Sequence, residues 1–499
     1  WGQLTSMRTA LILLFLLALA AIPGSVVPQS AQSAMKVSDF AANHPTLDRI
    51  CRPLGMYHVY TSVWFSAIYL LLLISLIGCI VPRIVSHAKA LRRQPPRVPA
   101  RLDRLAAHAS MITSASAAEV SQRAQQWLTS HRYRFVVDDD GSLRAEAGRH
   151  RETGNLVFHI FLVFVLVGVG WNTLWGFKGT SVVVEGQGFS NSITQYDEFK
   201  AGAMVDIDNL TPFSMKLRKF VVSFETGTVQ RGAARSFDAT VDLTMGGKTQ
   251  TRDLQVNHPL RIGSTKVHLL GHGYAADVVV RDGDGKVAYS GPVVFLPQDA
   301  NFKSVGVIKV PDARPDRLAF QGFFLPTGAI TAGGPTSLFP DALNPQLYLT
   351  AWYGKPTVET GVPSNIYTLD TTGLTQVTNG KDKARFVLSP GQRYKLPDGK
   401  GSIQFNGWQR WAKIQVSQNP GLPLTFLSVV LSVAGLCVSL FSRSRRVWVR
   451  TIPGDDGLRV EIGGLDRSES RSGAVDDVNS LLAALHGDSM SGDVGEEHS

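Results

Sequence analysis

Four long apolar runs interrupt an otherwise mixed chain, at 9–26, 63–82, 155–175 and 422–441. Each approaches the ~20 residues that a helix needs to cross the hydrocarbon of a bilayer. Inside a bilayer, a single apolar segment satisfies its backbone hydrogen bonds only as a helix. The pattern therefore predicts four transmembrane helices.

Lys and Arg near the ends of these runs predict their orientation, because such residues concentrate in cytoplasmic loops. Basic clusters follow the second and fourth runs and precede the third; they contain Arg83, Lys89, Arg92, Arg93, Arg97, Arg101, Arg104, Arg149, Arg151, Arg443, Arg445, Arg446 and Arg450. The loop 28–58 carries only Lys36, Arg49 and Arg52. We expect a plasma (inner) membrane protein with both termini in the cytoplasm.

The first run has an alternative interpretation. Met7-Arg8, a short apolar stretch and AIPGS resemble a cleavable signal peptide. The apolar stretch is long for a signal sequence, which favours a retained helix. The chain opens with Trp1 rather than Met, so we expect its true start to precede this residue.

The chain between the runs divides into a small inner module and a large outer domain. Residues 84–152 begin with a basic, proline-rich stretch typical of a surface linker. A helix over 117–128 and a hairpin turning at Asp140-Gly141 follow, which predicts a small cytoplasmic α+β module.

Residues 178–420 are rich in Val, Thr, Phe and Tyr runs bounded by Gly, Pro, Asp and Asn. This pattern predicts an extracytoplasmic, antiparallel all-β domain of one or two sandwiches. Hairpin turns are expected at Gly246-Gly247 and at 282–285. The predicted segments are 1–28 (first helix), 29–58 (outer loop), 59–83 (second helix), 84–152 (inner module), 153–177 (third helix), 178–420 (outer domain), 421–442 (fourth helix) and 443–499 (polar cytoplasmic tail, partly disordered).

Composition agrees with a membrane protein. Charged residues make up only 18% of the 499 residues, below the ~25% typical of a soluble domain. The net charge of +10 would favour nucleic-acid binding, but the basic residues lie largely at the helix ends, so we expect no nucleic-acid partner. The sequence contains no GxSxG, HExxH, GxxxxGK[ST] or CxxC motif, and nothing predicts an enzyme in its own right.

His159 is the sharpest candidate residue, because an ionisable side chain within a lipid-spanning helix is costly and is a functional hypothesis by default. A neutral imidazole can bind haem iron or another metal. The structural alternatives are an interhelical hydrogen bond and snorkelling toward the near interface.

Other candidates lie at the outer interface. His58 opens the second span and is a weaker ligand candidate, since a His beside Tyr57, Tyr60 and Trp64 also fits an aromatic belt. Trp64, Trp171 and Trp175 are candidate partner contacts or membrane anchors, and the last two are four residues apart on one helix face.

Three histidines and two of the three cysteines favour structural roles. His258, His268 and His272 occur in a strand-like stretch, and GHGY reads as a bulge or turn at a strand end. Positions four apart on one strand face are ~13 Å apart, too far to share a metal ion. Cys79 and Cys437 are expected to be packed thiols. Cys51 lies outside with no partner on this chain, which leaves a reactive thiol open, with only Arg49 and Arg52 nearby to activate it.

Several blocks together resemble the ResB family of cytochrome c biogenesis proteins, the System II component also called CcsB, and its actinobacterial branch most. They include LGMYHVYTSVWFSAIYLLLLISLIGCIVPR, GNLVFHIFLVFVLVGVG, VVVEGQGF, LTPFSMKL, NHPLRIGSTKVHLLGHGYA and GLPLTFLSVVLSVAGLCVSLF. The resemblance covers residues 1 to about 450, in order. It implies that the chain works with a CcsA/ResC-type partner, and that the pair moves haem across the membrane and attaches it to apocytochrome c outside.

The resemblance also bears on single residues. The family's His in the third span falls on His159, which favours a haem-related ligand or relay there. Many members carry a His where this chain has Thr61, just before Ser62, and His58 lies about one turn earlier. A separate thiol-disulfide reductant is expected as a partner, since the chain lacks CxxC. One alternative is a scaffold that binds no haem and holds the partner and apocytochrome c together. The other is a membrane-anchored β-domain receptor with unrelated cargo.

Overall fold

The computed structural model describes residues 1–30, 34–356, 368–454, 457–466 and 472–486. Two compact units divide the chain, residues 1–170 with 421–499 and residues 171–420. The helices in chain order are α1 (Met7–Val26), α2 (Ala34–Asn43), α3 (Pro45–Cys51), α4 (Val63–Arg92), α5 (Ala117–Ser130), α6 (His150–Trp175), α7 (Leu422–Phe441) and α8 (Ser472–His486), with short 3₁₀ turns at Met56–Thr61, Leu102–Arg104, Ile193–Gln195 and Pro397–Gly399.

Four helices in the described part of the chain, α1, α4, α6 and α7, are long and apolar enough to cross a membrane, as the sequence predicts. The second differs from its predicted bounds, because α4 continues through Pro82 to Arg92. Past the proline, Ile84, His87 and Leu91 recur at helical spacing and are the less exposed positions. This stripe keeps the chain helical where the basic residues alone predicted a loop.

The first three of these helices pack antiparallel in chain order. Ser75 Oγ of α4 donates to the Leu4 carbonyl just before α1, at 2.6 Å. Tyr69 Oη donates to the Leu166 carbonyl of α6 at 2.6 Å. At the other end of α4, His87 Nε2 lies 2.9 Å from Thr153 Oγ1.

Small residues bring α6 and α7 close together. A Cβ added at Gly154 would lie 2.6 Å from the Gly435 carbonyl oxygen, and one at Gly168 would lie 2.4 Å from Thr425 Oγ1. Ser432 Oγ donates to the Phe158 carbonyl at 3.2 Å. Close backbone approach at small residues is the usual packing mode between helices in lipid.

The inner module combines strands that precede α6 with strands that follow α7. Its antiparallel sheet has the order β1-β25-β24-β3-β2. The strands are β1 (Ala107–Thr113), β2 (Arg134–Val137), β3 (Leu143–Ala147), β24 (Arg445–Gly454) and β25 (Gly457–Asp466). The hairpin predicted at Asp140-Gly141 is present, with Gly141 at φ 78°.

The chain after α7 folds onto the inner module as far as residue 486. The sequence predicted a separate polar tail over 443–499 instead. Strand β24 pairs with β3 and β25 pairs with β1, while Trp127 Nε1 of α5 donates to Ser480 Oγ of α8 at 3.1 Å. Apolar residues from the segment before α6 and from the segment after α7 share one hydrophobic core, which stabilises the pairing of their strands. The local sequence pattern did not indicate this pairing. The acidic end, 487–499, lies outside the described residues.

The proline-rich stretch is held on the module, whereas the sequence predicted a surface linker. Proline removes backbone donors, but the carbonyls remain free to accept hydrogen bonds. Side chains of the sheet donate to the carbonyls of residues 93–100: Arg134 to Arg93, Arg144 to Pro95, Trp448 to Pro96 and Arg450 to Ala100, at 3.0–3.2 Å.

The second unit is β-rich, and its strand ladders are antiparallel throughout the described residues. Its strands are β4 (Phe177–Val184), β5 (Gly188–Ser190), β6 (Glu198–Ala201), β7 (Ser214–Phe224), β8 (Ala234–Met245), β9 (Lys248–Gln255), β10 (Leu260–Ile262), β11 (Thr265–Arg281), β12 (Val287–Pro297), β13 (Ser304–Val310), β14 (Arg317–Leu325), β15 (Gly328–Thr331), β16 (Gly334–Ser337), β17 (Gln346–Gly354), β18 (Thr375–Gln376), β19 (Thr378–Asn379), β20 (Asp382–Lys383), β21 (Arg385–Leu388), β22 (Arg393–Lys395) and β23 (Ser402–Gln418). A twelve-stranded sheet and a four-stranded sheet, β5-β7-β8-β9, dominate.

Two hydrophobic clusters form the core of this unit. One lies between the four-stranded sheet and β4, β11 and β23 of the large sheet, as in a sandwich. The other lies mainly among strands of the large sheet, including β11, β14, β17 and β23, and is completed by residues of the loops between strands. The hairpins predicted at Gly246-Gly247 and 282–285 join β8 to β9 and β11 to β12. Both glycines of the first turn have positive φ, which two-residue hairpins of this kind require.

Candidate functional site

His159 lies in α6, nine residues after the helix begins and partly buried. Its Nδ1 is 2.8 Å from the Asn155 carbonyl oxygen one turn earlier, and its ring meets the Phe158 ring edge-on at 4.9 Å. A carbonyl oxygen only accepts, so Nδ1 carries the proton. In the neutral imidazole the lone pair is then on Nε2, for which the described residues provide no hydrogen-bond partner.

This arrangement is the one that metal-binding histidines commonly adopt. Such residues donate one ring N–H to a carbonyl or carboxylate, which fixes the tautomer and directs the other nitrogen at the metal. An imidazole held in this way would suit a ligand to haem iron through Nε2, and it would equally suit an acceptor of a hydrogen bond from a neighbouring helix. The backbone bond also excludes Nδ1 as the ligand atom.

His58 and His159 are not brought together. His58 precedes α4, in the 3₁₀ turn Met56–Thr61, and its side chain is exposed. The hydrogen bond between Tyr69 and Leu166 provides a reference point between the two histidines. Along α6, His159 is about 10 Å from this bond in one direction, and along α4 the first residue of the helix is about 9 Å from it in the opposite direction. Two nitrogens some 20 Å apart cannot bind one metal ion, whose bonds to nitrogen are about 2 Å long. The expectation that His58 opens the second span is wrong, because the α-helix starts at Val63.

The three candidate tryptophans are at helix ends. Trp64 is in the first turn of α4 and donates from Nε1 to the Leu54 carbonyl at 3.0 Å. Trp171 and Trp175 end α6, with ring centroids 5.9 Å apart and about half of each side chain exposed. These positions suit interfacial anchoring, and their exposure leaves them available to a partner.

His87 is a buried imidazole that sequence reasoning missed. It is 8% exposed in the extension of α4, and its Nδ1 lies 3.6 Å from Glu152 Oε2, beyond hydrogen-bond range. The signal was the spacing of Ile84, His87 and Leu91, which continues the helix beyond Pro82. With its contact to Thr153, His87 joins the end of α4 to the start of α6.

A β-bulge separates His268 from His272. Strand β11 runs through both residues, so GHGY marks a bulge, as predicted, but no strand end. The register against β23 skips Leu270, which inverts the alternation. His268 and His272 thus lie on opposite faces of the sheet, not on one face as the predicted spacing assumed.

His272 is buried among aromatic rings. It stacks on Phe302 at 4.6 Å and lies 5.2 Å from the Phe237 ring, centroid to centroid. Burial, together with the positive charge of Arg410, lowers the pKa of His272 to about 4. The imidazole is therefore neutral near pH 7 and serves as a packing residue.

The cysteines are free and far apart in sequence, in α3 (Cys51), α4 (Cys79) and α7 (Cys437). Across the described ranges, His, Cys, Asp and Glu side chains form no group of three or more suited to a metal ion. His159 is thus the candidate with the clearest ligand geometry.

Comparison of the whole sequence with known proteins identifies its family. The chain matches the ResB-like family over residues 7–475. It belongs to that family. The match includes all four apolar helices, the β-rich unit and part of α8.

Several cyanobacterial relatives named cytochrome c biogenesis protein CcsB are similar along most of their length. That of Synechococcus sp. (strain JA-3-3Ab) is 24% identical over 89% of this chain and 82% of its own. The Nostoc protein is 24% identical, over 92% and 87%, and the Microcystis aeruginosa protein 22% identical, over 93% and 91%. The resemblance recognised in the sequence is confirmed at the level of the family, and the closeness to an actinobacterial branch stays a prediction.

Proposed function

We propose that this chain acts in System II cytochrome c biogenesis: with a CcsA/ResC-type partner, it helps to move haem across the plasma membrane and attach it to apocytochrome c on the outer face. The observation that carries the proposal is the family match over residues 7–475, together with relatives named for cytochrome c biogenesis. Haem is the cargo of this process and is shared with the partner.

The fold bears on which side of the membrane each part of the chain occupies in this proposal. Strands from 107–147 and from 445–466 form one sheet, so these segments lie on the same side of the membrane. If α6 and α7 each cross the membrane once, the proposal puts residues 178–420 on the opposite side from these strands. The basic residues beside the module favour the cytoplasm for the module and the outside for residues 178–420.

In this proposal His159 is the residue of this chain that interacts with haem. Its Nδ1–H is fixed on the Asn155 carbonyl, so Nε2 is directed away from that bond and can bind iron or relay a proton. The second ligand of a shared haem would come from the partner, because His58 is too distant. Trp64, Trp171 and Trp175 are candidate contacts with that partner.

The outer β unit docks apocytochrome c in this proposal. Thioether formation needs reduced thiols, and the chain lacks a CxxC pair, so a separate thiol-disulfide reductant keeps the apocytochrome cysteines reduced. The chain is then a non-catalytic or co-catalytic subunit of the synthase complex. Deleting 178–420 should abolish maturation while the remaining helices still insert.

The test compares His159→Ala with His58→Ala in cells that depend on this chain. Both variants should accumulate in the membrane and co-purify with the haem-handling partner. We expect His159→Ala to lower holocytochrome c and the Soret absorbance of the purified complex, whereas His58→Ala leaves both near the wild-type level.

Two outcomes would contradict parts of the proposal. Normal holocytochrome c with abundant His159→Ala protein would exclude a role for this imidazole. Reduced maturation with an unchanged Soret band would favour the scaffold, which holds partner and apocytochrome together without binding haem.

A further inference from the structure

The segment between α1 and α4 is tied at both of its ends by one side chain. Gln29, 5% exposed, donates from Nε2 to the carbonyls of Val27 and Met56, both at 2.9 Å, and accepts at Oε1 from the Val59 N–H at 3.1 Å. This clamp fixes the 3₁₀ turn before α4 against the end of α1. The described residues between these two points are therefore held near the end of α1 and the start of α4.

Asp48 is the partly buried polar residue of α3, and its carboxylate makes its contacts within the segment. Asp48 accepts hydrogen bonds from Tyr57 Oη at 2.9 Å and from Arg52 Nη2 at 3.0 Å. Tyr57 is only 5% exposed, and its ring lies edge-on to Phe40. The polar interactions of this segment are thus used to hold the segment itself together.

Three apolar side chains of α3 and of the turn after it are exposed. Leu47, Ile50 and Leu54 are each about half exposed; Leu47 and Ile50 are three residues apart and share one side of α3, and Leu54 lies in the turn that follows. We call these three residues the apolar face. Trp64 fixes this turn to the first turn of α4 through its bond to the Leu54 carbonyl.

We propose that the apolar face inserts into the bilayer interface, so that the segment lies on the membrane as an interfacial element. Three observations favour lipid as the occupant. The clamp, the Tyr57–Asp48 bond and the Trp64–Leu54 bond together tie α3 and its turn to the ends of α1 and α4, whose terminal residues Val26 and Val63 are themselves strongly exposed. Arg49 and Arg52, the latter paired with Asp48, are exposed on the other side of α3, and long cationic side chains at an interface extend toward phosphate headgroups. The inference requires only that the chain spans a membrane and does not depend on haem.

The test uses the full chain in nanodiscs of phosphatidylcholine and phosphatidylglycerol. Cys51, Cys79 and Cys437 are replaced by Ser, and an environment-sensitive NBD fluorophore is attached at Ile50→Cys or, as the matched control, at Arg49→Cys. At position 50 we expect emission at shorter wavelength and several-fold stronger quenching by a shallow doxyl lipid. The position 49 label should be quenched by aqueous iodide instead.

Equal iodide quenching at both positions would overturn the proposal. Protection of position 50 only when the haem-handling partner is present would identify a protein contact and overturn it as well. If the cysteine-free chain does not fold, a photoreactive benzophenone amino acid in place of Ile50, in the otherwise native chain, distinguishes crosslinks to lipid from crosslinks to protein.

Discussion

The contact between α6 and α7 gives the sharpest stability prediction, because α6 offers its own control. A methyl group at Gly154 would lie 2.6 Å from both the Gly435 carbonyl oxygen and the Ser439 nitrogen. These are backbone atoms, which cannot rotate away. At Gly170, in the same helix, no described atom lies within 4 Å of an added Cβ. We therefore compare Gly154→Ala with Gly170→Ala.

The magnitude follows from the difference between the two variants. Each exchanges a helical Gly for Ala, which favours the helix by up to about 1 kcal/mol and cancels in the comparison. Only Gly154→Ala must force two backbones apart, and such overpacking costs about 1–3 kcal/mol. We expect Gly154→Ala to be less stable than Gly170→Ala by that amount, about a 5- to 150-fold change in the unfolding equilibrium.

Unfolding of the purified full chain by increasing mole fraction of SDS, followed by tryptophan fluorescence, measures this difference. Gly435→Ala tests the same contact from the other helix, and the double variant should be non-additive because both methyl groups strain one contact. Equal midpoints for Gly154→Ala and Gly170→Ala would refute the close packing of α6 on α7.

Two further predictions concern the other parts of the fold. In the β unit, His272 has a folded pKa of about 4 and an unfolded value of about 6.5, so the unfolded chain binds the extra proton between them. The free energy of unfolding should fall as pH drops from about 6.5 to 4, by up to roughly 3 kcal/mol. Denaturant titrations at several pH values measure this dependence. If the unfolding free energy of His272→Phe changes with pH as steeply as that of the wild type, the prediction is contradicted. In the inner module, Trp448→Phe removes the hydrogen bond to Pro96, worth about 1 kcal/mol, and should speed tryptic cleavage at Arg97; an unchanged cleavage rate would show that this bond does not hold the segment.

The features predicted correctly from the sequence are those that depend on neighbouring residues. Twenty-residue apolar runs mark membrane helices because lipid leaves no alternative to intrahelical hydrogen bonds. The Gly246-Gly247 pair marks a turn because positive φ at both positions is easy only for glycine. The module helix, predicted over 117–128, is found at Ala117–Ser130, where Ser116 and Glu119 form a capping box.

The features missed depend on partners far along the chain. The pairing of Ala107 with Gly464 joins segments that no local pattern relates. The bulge at Leu270 depends on the register against β23 and reverses which way His272 points. His159 was recognised as a candidate, but the tautomer that makes it a suitable ligand emerged only from the Asn155 contact.

The order of strands in the inner module has a consequence for how the protein is made. Strand β24 lies between β25 and β3, so β3 has no neighbour on that side until the ribosome has delivered residue 445 and beyond. By then the whole β unit has been synthesised and the last membrane helix has emerged. A nascent or prematurely terminated chain therefore carries open sheet edges, which invite aggregation or degradation. Closing the sheet therefore requires that synthesis has proceeded at least through β25.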